Sequence, residues 1–267
     1  MDLKNHYRIF GLILLCLFFF ISCAGKSASF KSTSTYDGKP VELRGSLKKP
    51  EGNGPFPAVV LLHGCSGIMD TRQDFWVKKL NAMGYATIQV DSLAPRKIYS
   101  RVLCQGDGTV PGLDFSVRAR DAFDARSHLQ SLDFIDSDQI AVMGFSHGAI
   151  SALVASKASQ FGETPFSAVI SLYPHCFQGA FSEYDAPVLV IIGEDDDWTP
   201  AKLCKKEFAR RDKDRRHDVA LEVLPGLTHC FDCPGIRDYQ GHHMEFSKEG
   251  RQKALQLVSR FLRQHTR

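Results

Sequence analysis

The sequence predicts an α/β fold with a mostly parallel central sheet and helices on both faces. Three observations carry that prediction. Predominantly aliphatic and β-branched runs recur at residues 57–62, 85–90, 139–143, 166–172 and 187–192, as in strands covered on both faces. The segments between them have helical periodicity, and strands alternating with helices at this spacing form parallel βαβ units. Residues 36–267 contain no internal repeat, low-complexity tract or linker, so one domain is expected there.

The N-terminus differs from everything after it. Lys4, His6 and Arg8 precede the apolar run 9–21, and Ser22-Cys23-Ala24-Gly25 begins a small, polar stretch. A charged region, an apolar core and a small-residue cleavage zone make residues 1–22 a secretory signal. The apolar run is short for a bilayer span. Ile21-Ser22-Cys23 resembles the end of a bacterial lipobox, with Phe20 where an aliphatic residue is usual. The segment is compatible with a lipid anchor on Cys23 and with simple secretion, so the expected location is the bacterial periplasm, free or membrane-anchored. Gly, Ser and Lys dominate residues 23–35, which read as a tether.

The body follows in order. Residues 41–47 alternate like a solvated edge strand, and 57–62 form the first buried strand. Phe75, Val77, Leu80 and Met83 mark a helix closed by Gly84, before the strand 85–90. Residues 91–112 are a long Gly/Pro/Arg/Asp-rich loop containing Cys104; a loop of that length is usually functional or tied by a disulfide. A helix over 115–132, a strand at 139–143 and a helix from Ser146 to about residue 160 come next. Strands 166–172 and 187–192, a helix over 200–211, a strand at 219–224 and a helix over 250–264 complete the chain.

The formal charge of +3 is small and spread along the sequence. No basic block is interleaved with aromatics, which argues against a nucleic-acid partner. Export makes six of the eight cysteines informative: Cys65, Cys104, Cys176, Cys204, Cys230 and Cys233. An even number in an oxidising compartment suggests disulfides, in many pairings that sequence does not rank. The rival is a zinc site on Cys230-Phe-Asp-Cys233 with neighbouring histidines, which lacks a second ligand pair at recognised spacing.

The chemistry centres on Gly144-Phe-Ser-His-Gly148, where an apolar strand breaks into a helix. A nucleophilic serine on such a junction sits on a strained turn, and the glycines keep side chains away from its neighbours. The pentapeptide alone is equally explained as a packing turn. A serine hydroxyl needs a base, and the base an orienting carboxylate. On this architecture they follow in the order serine, acid, histidine, each after a later strand. Strand 187–192 runs into Gly193-Glu-Asp-Asp-Asp-Trp-Thr-Pro200, and strand 219–224 runs into Pro225-Gly-Leu-Thr-His229. Both groups therefore arrive where a triad requires them. One oxyanion donor is expected from the backbone of His147, after the serine. The other is expected from Cys65 in His63-Gly64-Cys65, after an earlier strand. Phe145, Tyr173 and Trp198 are candidate pocket walls, whereas His175, His242 and His243 have no positional argument.

With these motifs, residues from about 41 to 261 resemble the dienelactone hydrolase family of α/β-hydrolases, compact enzymes without a large lid domain. The resemblance assigns the nucleophile to Ser146, the acid to Asp196, four residues before Pro200, and the base to His229 in a Pro-Gly-x-x-His-x-Phe pattern. The founding dienelactone hydrolases use a cysteine nucleophile and keep a glutamate by the oxyanion loop. Ser146 and Gly64 stand at those places here, which points toward a general serine carboxylesterase. His-Gly-Cys-Ser-Gly, Tyr-Pro-His-Cys and Asp-Asp-Trp-Thr-Pro with Cys204 are similar to an exported branch of the family. That similarity implies bridges Cys65–Cys104 and Cys176–Cys204.

The implied reaction is hydrolysis of a small-molecule ester through an acyl-enzyme, with no metal or organic cofactor. An acyltransferase or peptidase on the same triad differs only in what attacks or leaves, which the motifs do not encode. A catalytically silent binding protein on the same fold is the remaining alternative.

Overall fold

A computed structural model describes residues 26–211, 218–235 and 238–266. The expected signal segment and Cys23 lie outside the described residues. The central sheet has eight strands: β1 (Lys26–Tyr36), β2 (Lys39–Lys48), β3 (Phe56–Leu62), β4 (Ala86–Asp91), β5 (Ile135–Phe145), β6 (Val169–Leu172), β7 (Val188–Gly193) and β8 (Val219–Leu224). Their order is β1-β2-β4-β3-β5-β6-β7-β8. β2 runs antiparallel to β1 and β4, and every pair from β4 through β8 is parallel. This is the mostly parallel sheet expected from the strand pattern.

Among the described residues six helices connect or cover the strands: α1 (Asp70–Ala82), α2 (Ser100–Leu103), α3 (Phe115–Gln130), α4 (His147–Ala155), α5 (Ala201–Ala209) and α6 (Lys248–His265). Consecutive residues Val59, Val60, Leu61 and Leu62 are all buried. Successive side chains on a strand face opposite ways, so both faces of the sheet are covered. α3 and α4 pack together against β5, while α1 packs on β4 and α6 on β7. α3 starts on the Asp114 side chain, which accepts from Val117 N–H, and α6 starts on Ser247, which accepts from Gly250 N–H. Each supplies an otherwise missing partner at a helix N-terminus.

The tether expected over residues 23–35 is corrected from residue 26 onward, where the chain is edge strand β1. Its composition resembles a linker, but Ala28 and Phe30 alternate with polar residues and are buried. Thr33 N–H and hydroxyl each donate to Asp124 at 2.9 Å, and the Ser32 hydroxyl donates at 3.0 Å. Asp37 and Gly38, both at positive φ, turn β1 into β2 in the backbone conformation that tight hairpins favour. Several boundaries also move, among them the start of β6 at Val169 rather than residue 166. β5 begins at Ile135, and α4 ends at Ala155 before a short 3₁₀ turn at Ala158–Phe161. The long loop after β4 is partly ordered by its own elements, a 3₁₀ turn at Ala94–Arg96 and helix α2.

Candidate active site

β5 ends at Phe145 and α4 begins at His147, leaving Ser146 between them at φ 52° and ψ −116°. A positive φ is costly for a residue with a Cβ, so the surroundings must impose it. They do so by close backbone approach. A Cβ at Gly144 would run into the Gly148 carbonyl, and one at Gly148 into the Leu62 and His63 carbonyls. Ser146 N–H donates to the Leu172 carbonyl at 2.9 Å. The turn is thus held between β3, β6 and the start of α4.

Ser146 Oγ lies 2.9 Å from His229 Nε2, and His229 Nδ1 lies 2.8 Å from Asp196 Oδ2. Asp196 is held by donors to both carboxylate oxygens: Trp198 N–H at 3.0 Å and Thr199 N–H at 2.7 Å on Oδ1, and the Thr199 hydroxyl at 2.8 Å on Oδ2. With the carboxylate as acceptor, Nδ1 carries the ring proton and Nε2 is free to accept from Ser146. Of the three consecutive aspartates only Asp196 is buried. Asp197 turns outward to His242 at 3.3 Å. The loops after β7 and β8 meet closely, since a Cβ on Gly193 would strike the Leu227 carbonyl. Hydroxyl, imidazole and carboxylate form one continuous chain, the arrangement in which an imidazole takes a proton from a hydroxyl.

On the other side, His63-Gly64-Cys65 turns away from β3. His63 Nδ1–H donates to the Gly64 carbonyl at 2.7 Å, and His63 Nε2 accepts from Ser92 N–H at 3.3 Å. Burial, followed by the nearby Arg118 cation, pushes this imidazole well below its ordinary pKa. Cys65 and Cys104 form a disulfide that ties the turn to the long loop. The His147 ring points away from Ser146. Its Nε2 donates to the Gly108 carbonyl and its Nδ1 accepts from Arg118, each at 2.6 Å. Burial, then the Arg118 charge, lowers its pKa to about 3, so the ring is neutral at physiological pH.

Ser146, Cys65 and His147 border one cavity of about 440 Å³. Leu103, Phe115, Ile150, Phe177 and Trp198 supply most of its apolar lining, with His175 among them. Trp198 is therefore where the sequence expected it, with its ring 5.1 Å from His229 and stacked at 4.8 Å on His242. Phe145 and Tyr173 do not line the cavity. Phe145 is fully buried, with the Arg72 guanidinium 4.6 Å from its ring centroid. Tyr173 is fully buried behind His229, ring centroids 4.9 Å apart, and its hydroxyl donates to Asp232 at 2.7 Å. Burial and then Asp232 raise that phenol well above its ordinary pKa. Aromatics that follow strands enter the core as readily as a pocket, and these two do.

Two further features escaped sequence reasoning. His175 reaches the cavity, next to Cys176, which is bonded to Cys204. Arg118, on α3, is completely buried and touches both the His147 ring and the His63 carbonyl; nothing in its sequence context separates it from the other arginines of that helix. A third disulfide joins Cys230 to Cys233, directly after His229. It removes the thiolates that the alternative zinc site required. Among the described residues, Cys230, Asp232 and Cys233 are the one grouping close enough to hold a metal ion, and two of its three donors are consumed by that bond.

A sequence profile of the dienelactone hydrolase family matches residues 43–266. A probable 2-oxo-3-(5-oxofuran-2-ylidene)propanoate lactonase from Bradyrhizobium sp is 22% identical over 195 residues, covering 69% of this chain and 77% of the other. Among solved structures, a dienelactone hydrolase from Anabaena variabilis superposes with a TM-score of 0.66 at 20% identity, covering 91% of this chain and 100% of the other. A dienelactone hydrolase-like promiscuous phosphotriesterase from metagenomic libraries also gives 0.66, at 19% identity, covering 91% and 99%.

Proposed function

Because the chain belongs to the dienelactone hydrolase family, a family of lactone and ester hydrolases, we propose that it is a serine carboxylesterase working through an acyl-enzyme. The observation that carries this reading is the continuous chain Ser146–His229–Asp196, with links of 2.9 and 2.8 Å. His229 Nε2 takes the Ser146 proton as Oγ attacks the ester carbonyl. Asp196 keeps the Nδ1–H tautomer and stabilises the imidazolium that forms. The backbone N–H groups of Cys65 and His147 receive the tetrahedral oxyanion, and the N-terminal end of α4 adds a favourable dipole. His229 then protonates the leaving alkoxide. Water, deprotonated by the same imidazole, releases the acid.

The apolar cavity supports a small-molecule ester with a hydrophobic acyl or alcohol portion. A lactone is a cyclic ester and breaks the same acyl–oxygen bond, so the reading covers both. Three disulfides support maturation in an oxidising compartment. Together with the N-terminal leader they favour an exported protein, free or lipid-anchored through Cys23. No helix among the described residues is long and apolar enough to cross a membrane.

The test treats the mature protein with a fluorophosphonate probe and then with a panel of short and long acyl esters and lactones. Labelling is expected on Ser146, with ester turnover abolished in Ser146→Ala. Absence of labelling, or equal turnover in the variant, overturns the proposal.

A further inference from the structure

We propose that Arg118 is the positioning residue of the oxyanion hole, setting the separation of its two backbone donors. The inference rests on the hydrolytic reading above. Arg118 Nη1 donates to His147 Nδ1 at 2.6 Å, and Nη2 donates to the His63 carbonyl at 2.7 Å. One side chain from α3 thus grips the residue that follows the nucleophile and the residue two before Cys65. A guanidinium is a rigid planar fork, so the positions of its two acceptors are fixed relative to each other. Neither a lysine nor a pair of waters imposes that constraint.

The contacts also fix a proton. Arginine has no acceptor, so His147 Nδ1 must be the accepting nitrogen and Nε2 must carry the hydrogen. That hydrogen goes to the Gly108 carbonyl at 2.6 Å. Gly108 sits at φ 81°, and a Cβ there would lie 3.3 Å from the His147 ring, so the approach depends on glycine. The result is a closed circuit. Cys65 is bonded to Cys104, the loop runs on to Gly108, Gly108 holds His147, His147 holds Arg118, and Arg118 returns to His63 beside the turn. Each link braces an edge of the region where the oxyanion forms.

Charge adds to geometry. Asp121, the nearest carboxylate along α3, is occupied in bidentate fashion by Arg96 at 2.8 and 2.7 Å. Among the described residues, the groups that Arg118 touches, the His147 ring and His63, are neutral. Asp121 and Asp91 favour its charge through space without touching it, and the buried cation also favours negative charge developing nearby. Burial lowers its pKa only to about 10, so it stays protonated at neutral pH.

The test compares Arg118→Met and Arg118→Lys with the wild-type protein, counting active sites by fluorophosphonate burst so that misfolded molecules drop out. In Arg118→Met, kcat per active site is expected to fall on the order of 10²-fold, as when an oxyanion donor is misplaced. KM should stay within about threefold, because the ground-state carbonyl makes little use of the hole. Affinity for a short alkyl boronic acid, a tetrahedral mimic, should fall in step with kcat. Lysine, which keeps the charge but lacks the fork, should recover only part of the loss. Should Arg118→Met fail to fold, His147→Phe breaks the same bridge while keeping its backbone N–H. Nitrogen-15 NMR of the wild-type protein reads the tautomer directly, with Nε2–H expected on His147. A kcat within about twofold of wild type in the folded variant, an unchanged boronic acid affinity, or Nδ1–H on His147 each overturns the inference. Failure of Ser146 to label in the wild-type protein sinks the hydrolytic reading instead.

Discussion

Ser146, Asp196 and His229 stand on loops that leave the parallel strands β5, β7 and β8 within a few residues. The facing wall is built differently: the long loop joins the His63–Cys65 turn through a disulfide, the Ser92 N–H to His63 hydrogen bond, a buried guanidinium and a histidine ring. The first half is placed by backbone, since each functional side chain inherits the register of its strand. In the second half the His63–Cys65 turn also leaves a strand, β3, but the long loop facing it is placed by side-chain braces across gaps in the sequence. Removing a group from the first half should therefore cost mainly chemistry. Removing one from the second should cost stability and chemistry together.

The sharpest way to break this contrast is Asp196→Asn. The amide oxygen can still accept the two backbone N–H groups now on Oδ1, but an NH2 takes the place of Oδ2, so His229 loses the acceptor that fixes its tautomer. We expect kcat to fall on the order of 10⁴-fold, while the urea midpoint moves little. A loss below about 100-fold, or a large drop in midpoint, would show that the triad side is not held by its strands alone.

The double variant Cys65→Ser, Cys104→Ser probes the opposite side. Their sequence separation of 39 corresponds to about 4 kcal/mol of loop-closure entropy in the unfolded chain. Stability from urea unfolding should fall by an amount of that order, and kcat should fall about tenfold as the turn loses one brace. An unchanged midpoint would mean that the Arg118 bridge suffices without the disulfide.

The same division explains what could be read from the residues alone. Strand-borne positions were legible because a candidate acid and base had to follow particular apolar runs, and Asp196 and His229 lie on the loops after β7 and β8. The edge strand β1 was hidden because small and polar residues mask its alternation, and its anchor, Asp124, lies about 90 residues away. Phe145 and Tyr173 were misread as pocket residues because periodicity places a side chain on a face without saying how deep that face lies. Arg118 and His175 gave no signal: their roles come from contacts between loops and helices distant in sequence, which no local pattern encodes.

The smallest effect concerns protons on the braced wall. Folding lowers the His147 pKa from 6.5 to about 3, through burial first and the Arg118 charge second. Between those values the unfolded chain binds a proton that the folded chain does not. His147 therefore contributes stability that is fully present above pH 6.5 and lost progressively as pH falls toward 3. The limiting slope for one proton is about 1.4 kcal/mol per pH unit. His63 is lowered in the same direction, whereas Asp124 is raised, chiefly by burial; both remain in a variant changed at His147 alone. His147→Gln offers an amide oxygen to Arg118 and an N–H to Gly108 without a proton to gain. Subtracting its urea-unfolding stability from that of the wild-type protein, pH by pH from 7 to 4, reads the His147 contribution together with its coupling to His63. That difference should rise with pH at up to the one-proton slope below pH 6 and flatten above 6.5. A difference independent of pH would mean that His147 is not held neutral by the wall it braces, and would remove the physical distinction between the two halves of the site.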